Sequence, residues 1–269
     1  MKIYKYFIFI FIILLTWNCS EEIYLELDEG ETKIVIEGAL SSTARNQLVK
    51  ISKTSAYYDS VPMEPVTGAT VTILDSAFEY TFTQIRSGLY ISTISFAGIP
   101  GKEYKLKVET GNQIYEATST MPRMPSIDSI RFYADDQDAQ LFHIGLFAQE
   151  NPLTGDYYSW GVYKDYLNQT KNLTQLNYMS DELINGSYFN GNKVQVVNAK
   201  PGNRITLQMA SISKEYFNFV VATLKETVYN DGVFKPAPAN IKGNISNGAL
   251  GFFITYTETF KTKIIQIEE

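Results

Sequence analysis

The chain is poor in the residues from which most catalytic and metal sites are built, with one cysteine, one histidine and two tryptophans in 269 residues. A lone cysteine cannot close a disulfide within the chain, so the fold rests on packing. A lone histidine, His143, excludes His-based triads, paired-histidine metal sites and H-E-x-x-H hydrolases. Basic charge is scarce too: 23 Lys and Arg stand against 29 Asp and Glu, for a net charge of −6. Nucleic-acid binders need basic stripes, so that class of partner is excluded. The sequence has no G-x-S-x-G elbow and no phosphate-cradling G-x-x-x-x-G-K loop. Long hydrophobic runs are missing as well. The most apolar one, Phe7 to Leu15, falls well short of the roughly 20 residues that span a bilayer.

What is present starts with that run. Lys2 and Lys5 form a short basic start, Phe7 to Leu15 an apolar core, and Cys19 follows four residues later. These are the parts of a secretory signal. The stretch resembles bacterial lipoprotein signals, in which cleavage falls just before a cysteine whose thiol carries a diacylglycerol. It departs from the usual pattern in Leu15-Thr16-Trp17-Asn18-Cys19, where the Leu lies one place further out and Trp17 replaces a small residue. Ser20-Glu21-Glu22 resembles the short acidic tag that sends some Gram-negative lipoproteins to the outer face of the outer membrane. The resemblance implies lipidation at Cys19 and a place on the cell surface. The alternative is an ordinary cleaved secretory signal with an incidental cysteine. Removing residues 1–18 would leave 251 residues and a net charge of −8, because Lys2 and Lys5 leave with the signal.

The remainder suits one large or two modest domains. Residues 19–31 are acidic and short, as expected of a tether. From residue 32 to 122, short segments of period-2 alternation are separated by Gly and Pro, as in Ala69-Thr70-Val71-Thr72-Ile73-Leu74. This spacing predicts a β-sandwich, immunoglobulin-like or transthyretin-like. Pro122 and Pro125 mark a linker. Residues 126–269 are expected to form a second β-rich domain with one amphipathic helix over 213–227. In that helix Ser213 caps, and Tyr216, Val220 and Leu224 share a face with Phe217 and Val221. Lys164 to Ser187 is polar and Asn-rich, and reads as an excursion outside the core.

The run from Phe234 to Phe253 (FKPAPANIKGNISNGALGFF) resembles the C-terminal signature of a bacterial lipoprotein family, domain of unknown function 4249. Further matches are Ser211-Ile212-Ser213, Phe189-Asn190-Gly191, Asp156-Tyr157-Tyr158 and Pro65-Val66-Thr67-Gly68-Ala69. Members of that family are outer-membrane surface lipoproteins, often encoded beside TonB-dependent transporters. The resemblance therefore implies an accessory or ligand-capture subunit of such a transporter. It supplies no catalytic residues.

Individual residues add little chemistry. His143 sits mid-strand, where a structural role is expected. Asp135, Asp136 and Asp138 lack the D-x-D-x-D-G spacing of a calcium loop and read as a solvated turn. Tyr158 and Trp160 share one face of the aromatic strand DYYSWGVY, and are candidates either for the core or for contact with a ligand. Asn244, Asn247 and Gly248 lie in a glycine-rich turn, where they serve either backbone geometry or docking of a partner. The expectation is a non-enzymatic surface lipoprotein with no catalytic residue, cofactor or metal. A free-standing adhesion or polymer-binding module is the alternative. An enzyme acting through two carboxylates, as glycosidases do, is a third reading, but no pair stands out in the sequence.

Overall fold

Alternation decides the local structure. Tyr104, Leu106 and Val108 are buried on one face of a strand, while Lys105 and Lys107 between them point outward. The computed structural model describes residues 31–55, 63–153, 155–228 and 241–266. Residues 1–18, Cys19, Ser20, Glu21 and Glu22 lie outside the described residues, as does segment 229–240, which holds the first part of the signature.

From Thr32 on, the chain packs as one compact unit. Its strands are β1 (Ile34–Ser41), β2 (Leu48–Lys53), β3 (Thr70–Leu74), β4 (Glu79–Arg86), β5 (Leu89–Ser92), β6 (Glu103–Thr110) and β7 (Gln113–Thr120). They continue with β8 (Ser129–Ala134), β9 (Leu141–Gln149), β10 (Tyr157–Lys164), β11 (Leu167–Asn168) and β12 (Asn177–Ser180). After β13 (Tyr188–Asn198) and β14 (Arg204–Ile212) comes the helix α1 (Lys214–Thr227), and the described part ends with β15 (Leu250–Ile264).

Among the described residues, twelve strands form one sheet in the order β11-β10-β14-β15-β1-β2-β5-β4-β3-β6-β7, with β12 also paired to β10. Strands β13, β9 and β8 form a second, three-stranded sheet. The large sheet curls around a first core through β4, which pairs with both β5 and β3. Ile36, Leu40, Val49, Ile73 and Leu106 fill this core. The other end of the large sheet shares a second core with the three-stranded sheet, including Ile144, Leu146, Trp160, Leu207 and Met209. Each fully buried aliphatic side chain of this kind contributes about 1.5–3 kcal/mol. The described residues are mainly β, two sandwich-like lobes with one amphipathic helix.

The chain on either side of the expected linker, residues 122–126, is joined through one strand. In β15, residues 250–256 run parallel to β1, from Val35↔Leu250 to Ser41↔Tyr256. Its remaining residues pair antiparallel with β14, from Ser211↔Thr257 to Arg204↔Ile264. The last strand thus belongs to both lobes, and Ile245, Ala249 and Phe253 complete the first core. Nor is the proline linker free: Met121 is fully buried, and the Thr257 hydroxyl donates to the Pro122 carbonyl at 2.5 Å. The polar stretch 164–187 is also more ordered than its composition suggests. It supplies β11 and β12, and Met179 and Ile184 pack against the second core.

Helix α1 begins as its sequence predicts, with the Ser213 hydroxyl accepting the Tyr216 N–H at 3.2 Å. Its rings Tyr216, Phe217 and Phe219 pack on Tyr157, Phe252 and Ile254, on the face of the large sheet opposite the cores. The helix therefore covers the region where β10, β14 and β15 meet.

Candidate functional site

The two aromatic candidates for ligand contact are core residues. Tyr158 is fully buried and Trp160 nearly so, both in the second core, with their rings 6.1 Å apart. The reason is that β10 is covered on both faces. The three-stranded sheet lies over the side of Tyr158 and Trp160, and α1 covers the other through Tyr157 and Phe217, whose rings are 5.0 Å apart. Alternation alone could not show the second cover.

The glycine-rich turn is likewise used within the fold. The Asn244 side chain accepts the Phe253 N–H and donates to the Phe253 carbonyl, each at 2.8 Å, as a peptide group in a strand would. Asn247 adopts φ 56°, donates its side-chain amide to the Ile114 carbonyl, and is followed by Gly248 at φ 73°. Its amide is therefore engaged by the chain itself, and backbone geometry accounts for the turn. His143 takes the structural role expected of it, with Nε2 2.8 Å from the Asp135 carboxylate. The backbone N–H groups of Gln137 and Asp138 bond the other Asp135 oxygen, and together with His143 they hold this carboxyl below its usual range.

Among the described residues, the structure brings together three carboxylates that the sequence keeps apart. Glu150 follows β9, Asp156 precedes β10 and Asp181 follows β12, and one carboxylate oxygen of each lies within 4.8 Å of the others. Glu150 and Asp181 are buried. Tyr158 donates to Glu150 at 3.0 Å, the Gly186 N–H donates to its other oxygen, and the Gly155 N–H donates to Asp181 at 2.9 Å. Burial first, then the charges of Glu150 and Asp181, push the Asp156 carboxyl up, against a lowering hydrogen bond from Asn151. Burial and the same three carboxylates raise the Tyr158 hydroxyl strongly. The group offers oxygens only, at separations compatible with ligands on one hard divalent cation, so these three residues could hold such an ion. No local spacing announces it, because the three acids stand at the ends of three different strands.

A carboxyl whose pKa is raised by folding keeps its proton to higher pH than the unfolded chain does. Stability then falls as pH rises from the unfolded value, near 3.8, through the folded one, and stays low above it. With EDTA present, Asp156→Asn is therefore expected to raise the melting temperature at pH 7 and to leave it almost unchanged at pH 3.5. A lower melting temperature at pH 7 would contradict this account of the cluster.

Open concavities also lie among the described residues. One, of about 410 Å³, lies among Glu103, Ser119, Thr120, Ser213, Asn244 and Phe252, where β7, the start of α1 and β15 approach one another. Another is a groove of about 720 Å³ on the second lobe, beside β8 and the end of β15, lined among others by Arg131, Phe132, Tyr133, Phe142, Lys193 and Lys263. Three cations here face one carboxylate, Asp136, in a chain whose net charge is negative. Its three cations were not singled out in the sequence, where they lie up to 132 positions apart.

Among solved structures, the chain aligns with one titled "Cytokine receptor complex - Crystal form 1A", at 6% identity and a TM-score of 0.26, covering 86% of this chain and 95% of that one. It also aligns with the FN1–FN3 domains of chicken CNTN1, at 11% identity and a TM-score of 0.27, covering 68% of this chain and 60% of that one. Scores this low do not establish a shared fold. No curated protein sequence matches the chain. The family profile described as domain of unknown function (DUF4249) matches residues 20–262, nearly the whole length, and the chain belongs to that family.

Proposed function

We propose that this protein is a non-catalytic lipoprotein of the outer-membrane surface that captures a ligand for a TonB-dependent transporter. The observation that carries the reading is one of position. The family match begins at residue 20, directly after the cysteine that closes a basic-apolar signal pattern. Cleavage before Cys19 would place the start of the family domain directly behind the anchored residue. Lipid at that residue is ample for anchoring, at about 0.8 kcal/mol per buried methylene over several acyl chains. The acidic Ser20-Glu21-Glu22 tag supports display on the outer face. The transporter partnership is supported by the company that members of the family keep.

Two measurements test it. Cys19→Ser is expected to abolish incorporation of labelled palmitate and to move the protein out of the membrane fraction. Unchanged labelling would remove the anchor. Affinity purification of the tagged full chain from detergent-solubilised outer membranes, followed by mass spectrometry, is expected to recover a TonB-dependent transporter in stoichiometric amount. Recovery of the lipoprotein alone would transfer the reading to a free-standing adhesion or polymer-binding module, which the open aromatic groove on the second lobe also suits.

A further inference from the structure

We infer that the groove beside β8 and the end of β15 is a binding site for acidic oligosaccharides. The inference deepens the ligand-capture reading and rests on it.

The first observation is charge. Lysines on the strands of the first lobe are matched by carboxylates: Lys50 with Glu37 at 2.7 Å, Lys53 with Glu64 at 2.8 Å, Lys105 with Glu116 at 2.8 Å, Lys107 with Glu109 at 2.5 Å. The groove departs from that pattern. Arg131, Lys193 and Lys263 all line it, all three are exposed, and among the described residues none has a carboxylate within ion-pair distance. Three unneutralised cations around one concavity favour an anionic occupant, and a guanidinium can engage a carboxylate or sulfate through paired hydrogen bonds.

The second observation is a prepared aromatic surface. Tyr133 lies across two glycines of the neighbouring strands. A Cβ added at Gly145 would come within 2.5 Å of the Tyr133 ring, and one at Gly191 within 2.8 Å of its hydroxyl oxygen. With no side chain at either position, the ring rests directly on the sheet and still keeps 36% of its surface exposed. Next to it the Arg131 guanidinium stands 4.9 Å from the centre of the Phe147 ring, which fixes that side chain as well. A rigid ring with one face on the sheet offers its other face at little entropic cost, and that face suits the C–H surface of a sugar ring. The nearby cations then select acidic sugars over neutral ones. The groove's 720 Å³ falls within the range of small-ligand sites.

The test is calorimetric titration of the full chain, purified from membranes in detergent, with three acidic probes: hexagalacturonate, an alginate hexamer and a heparin-derived hexasaccharide. Maltohexaose and hexaglutamate serve as the neutral and the peptide control. At least one acidic saccharide is expected to bind, maltohexaose not to, and affinity to fall about tenfold or more in Tyr133→Ala and in the double variant Arg131→Gln/Lys263→Gln. The double variant replaces exposed side chains only, so it keeps the test valid should Tyr133→Ala fail to fold. Failure of all three acidic probes, or binding that neither variant weakens, overturns the inference. So does equal binding of hexaglutamate that survives Tyr133→Ala, which would mark an acidic-peptide site instead. Recovery of the transporter is a separate measurement, so either reading can fail alone.

Discussion

Gly251→Ala is expected to destabilise the protein by on the order of 4 kcal/mol, seen as a fall of roughly 10 °C in the melting temperature followed by circular dichroism. Gly251 stands in β15 opposite Ile36 of β1, at φ +94°, a region that residues with a side chain rarely adopt. A Cβ there would lie 2.2 Å from the Ile36 carbonyl oxygen and 2.8 Å from its carbon. Both are backbone atoms of a paired strand and cannot swing aside as a side chain can. Gly243 adds to the constraint, because a Cβ on it would lie 1.6 Å from the Gly251 carbonyl oxygen. Three backbone segments thus meet with no side chain between them. Gly248→Ala is the control: its φ is +73°, but nothing lies within 4 Å of an added Cβ, so only the backbone cost of about 1–2 kcal/mol applies. Equal melting temperatures for the two variants would show that the close approach to Ile36 has no energetic weight.

Glu258→Ala is expected to cost about 3 kcal/mol, measured from the urea midpoint. The Glu258 carboxylate is fully buried and ties three elements together. It accepts the Ser41 hydroxyl of β1 and the Gln208 amide of β14, each at 2.5 Å, and pairs with Arg45. Its own N–H donates to the Ser42 hydroxyl at 3.0 Å. Removing the carboxylate leaves the fully buried Ser41 hydroxyl without this acceptor and half-buried Gln208 without its own, and unpaired buried polar groups cost about 1–3 kcal/mol each. Arg45→Ala leaves the opposite defect, a buried anion without its cation. Because the Arg45 side chain is 42% exposed, water compensates in part and the loss is smaller. The double variant should then lose less than the sum of the two single variants, since Arg45, Ser41 and Glu258 form one network in which Arg45 also donates to the Ser41 hydroxyl at 3.1 Å. Additive losses would show that Arg45 and Glu258 act on the fold independently.

Most of the strands could be read from the sequence, because one buried face leaves a period of two, as Tyr104, Leu106 and Val108 show. The helix was legible for an equally local reason: Ser213 caps it and its rings recur at helical spacing. What could not be read is non-local. Val35 and Leu250 pair across the length of the protein, and no local pattern in either records the other. The prolines at 122 and 125 likewise carry no sign of the strand that returns to the first core with Phe253. Tyr158 and Trp160 were ambiguous because alternation says which residues share a face, not what covers that face. Glu150, Asp156 and Asp181, like Arg131 and Lys263, come together only once the strands are placed.

The shared strand also sets the order in which the chain can mature. Among the described strands β1 stands first in the sequence and β15 last, and they lie side by side in parallel. Until β15 arrives, the first lobe lacks Phe253, Ala249 and Ile245 from its core, and β1 keeps an unpaired edge. Such an edge pairs readily with other chains. The first lobe can therefore complete its core only after residues 245–256 have been made. A truncation before residue 250 removes this last strand and leaves a defect in the lobe farthest from it in sequence.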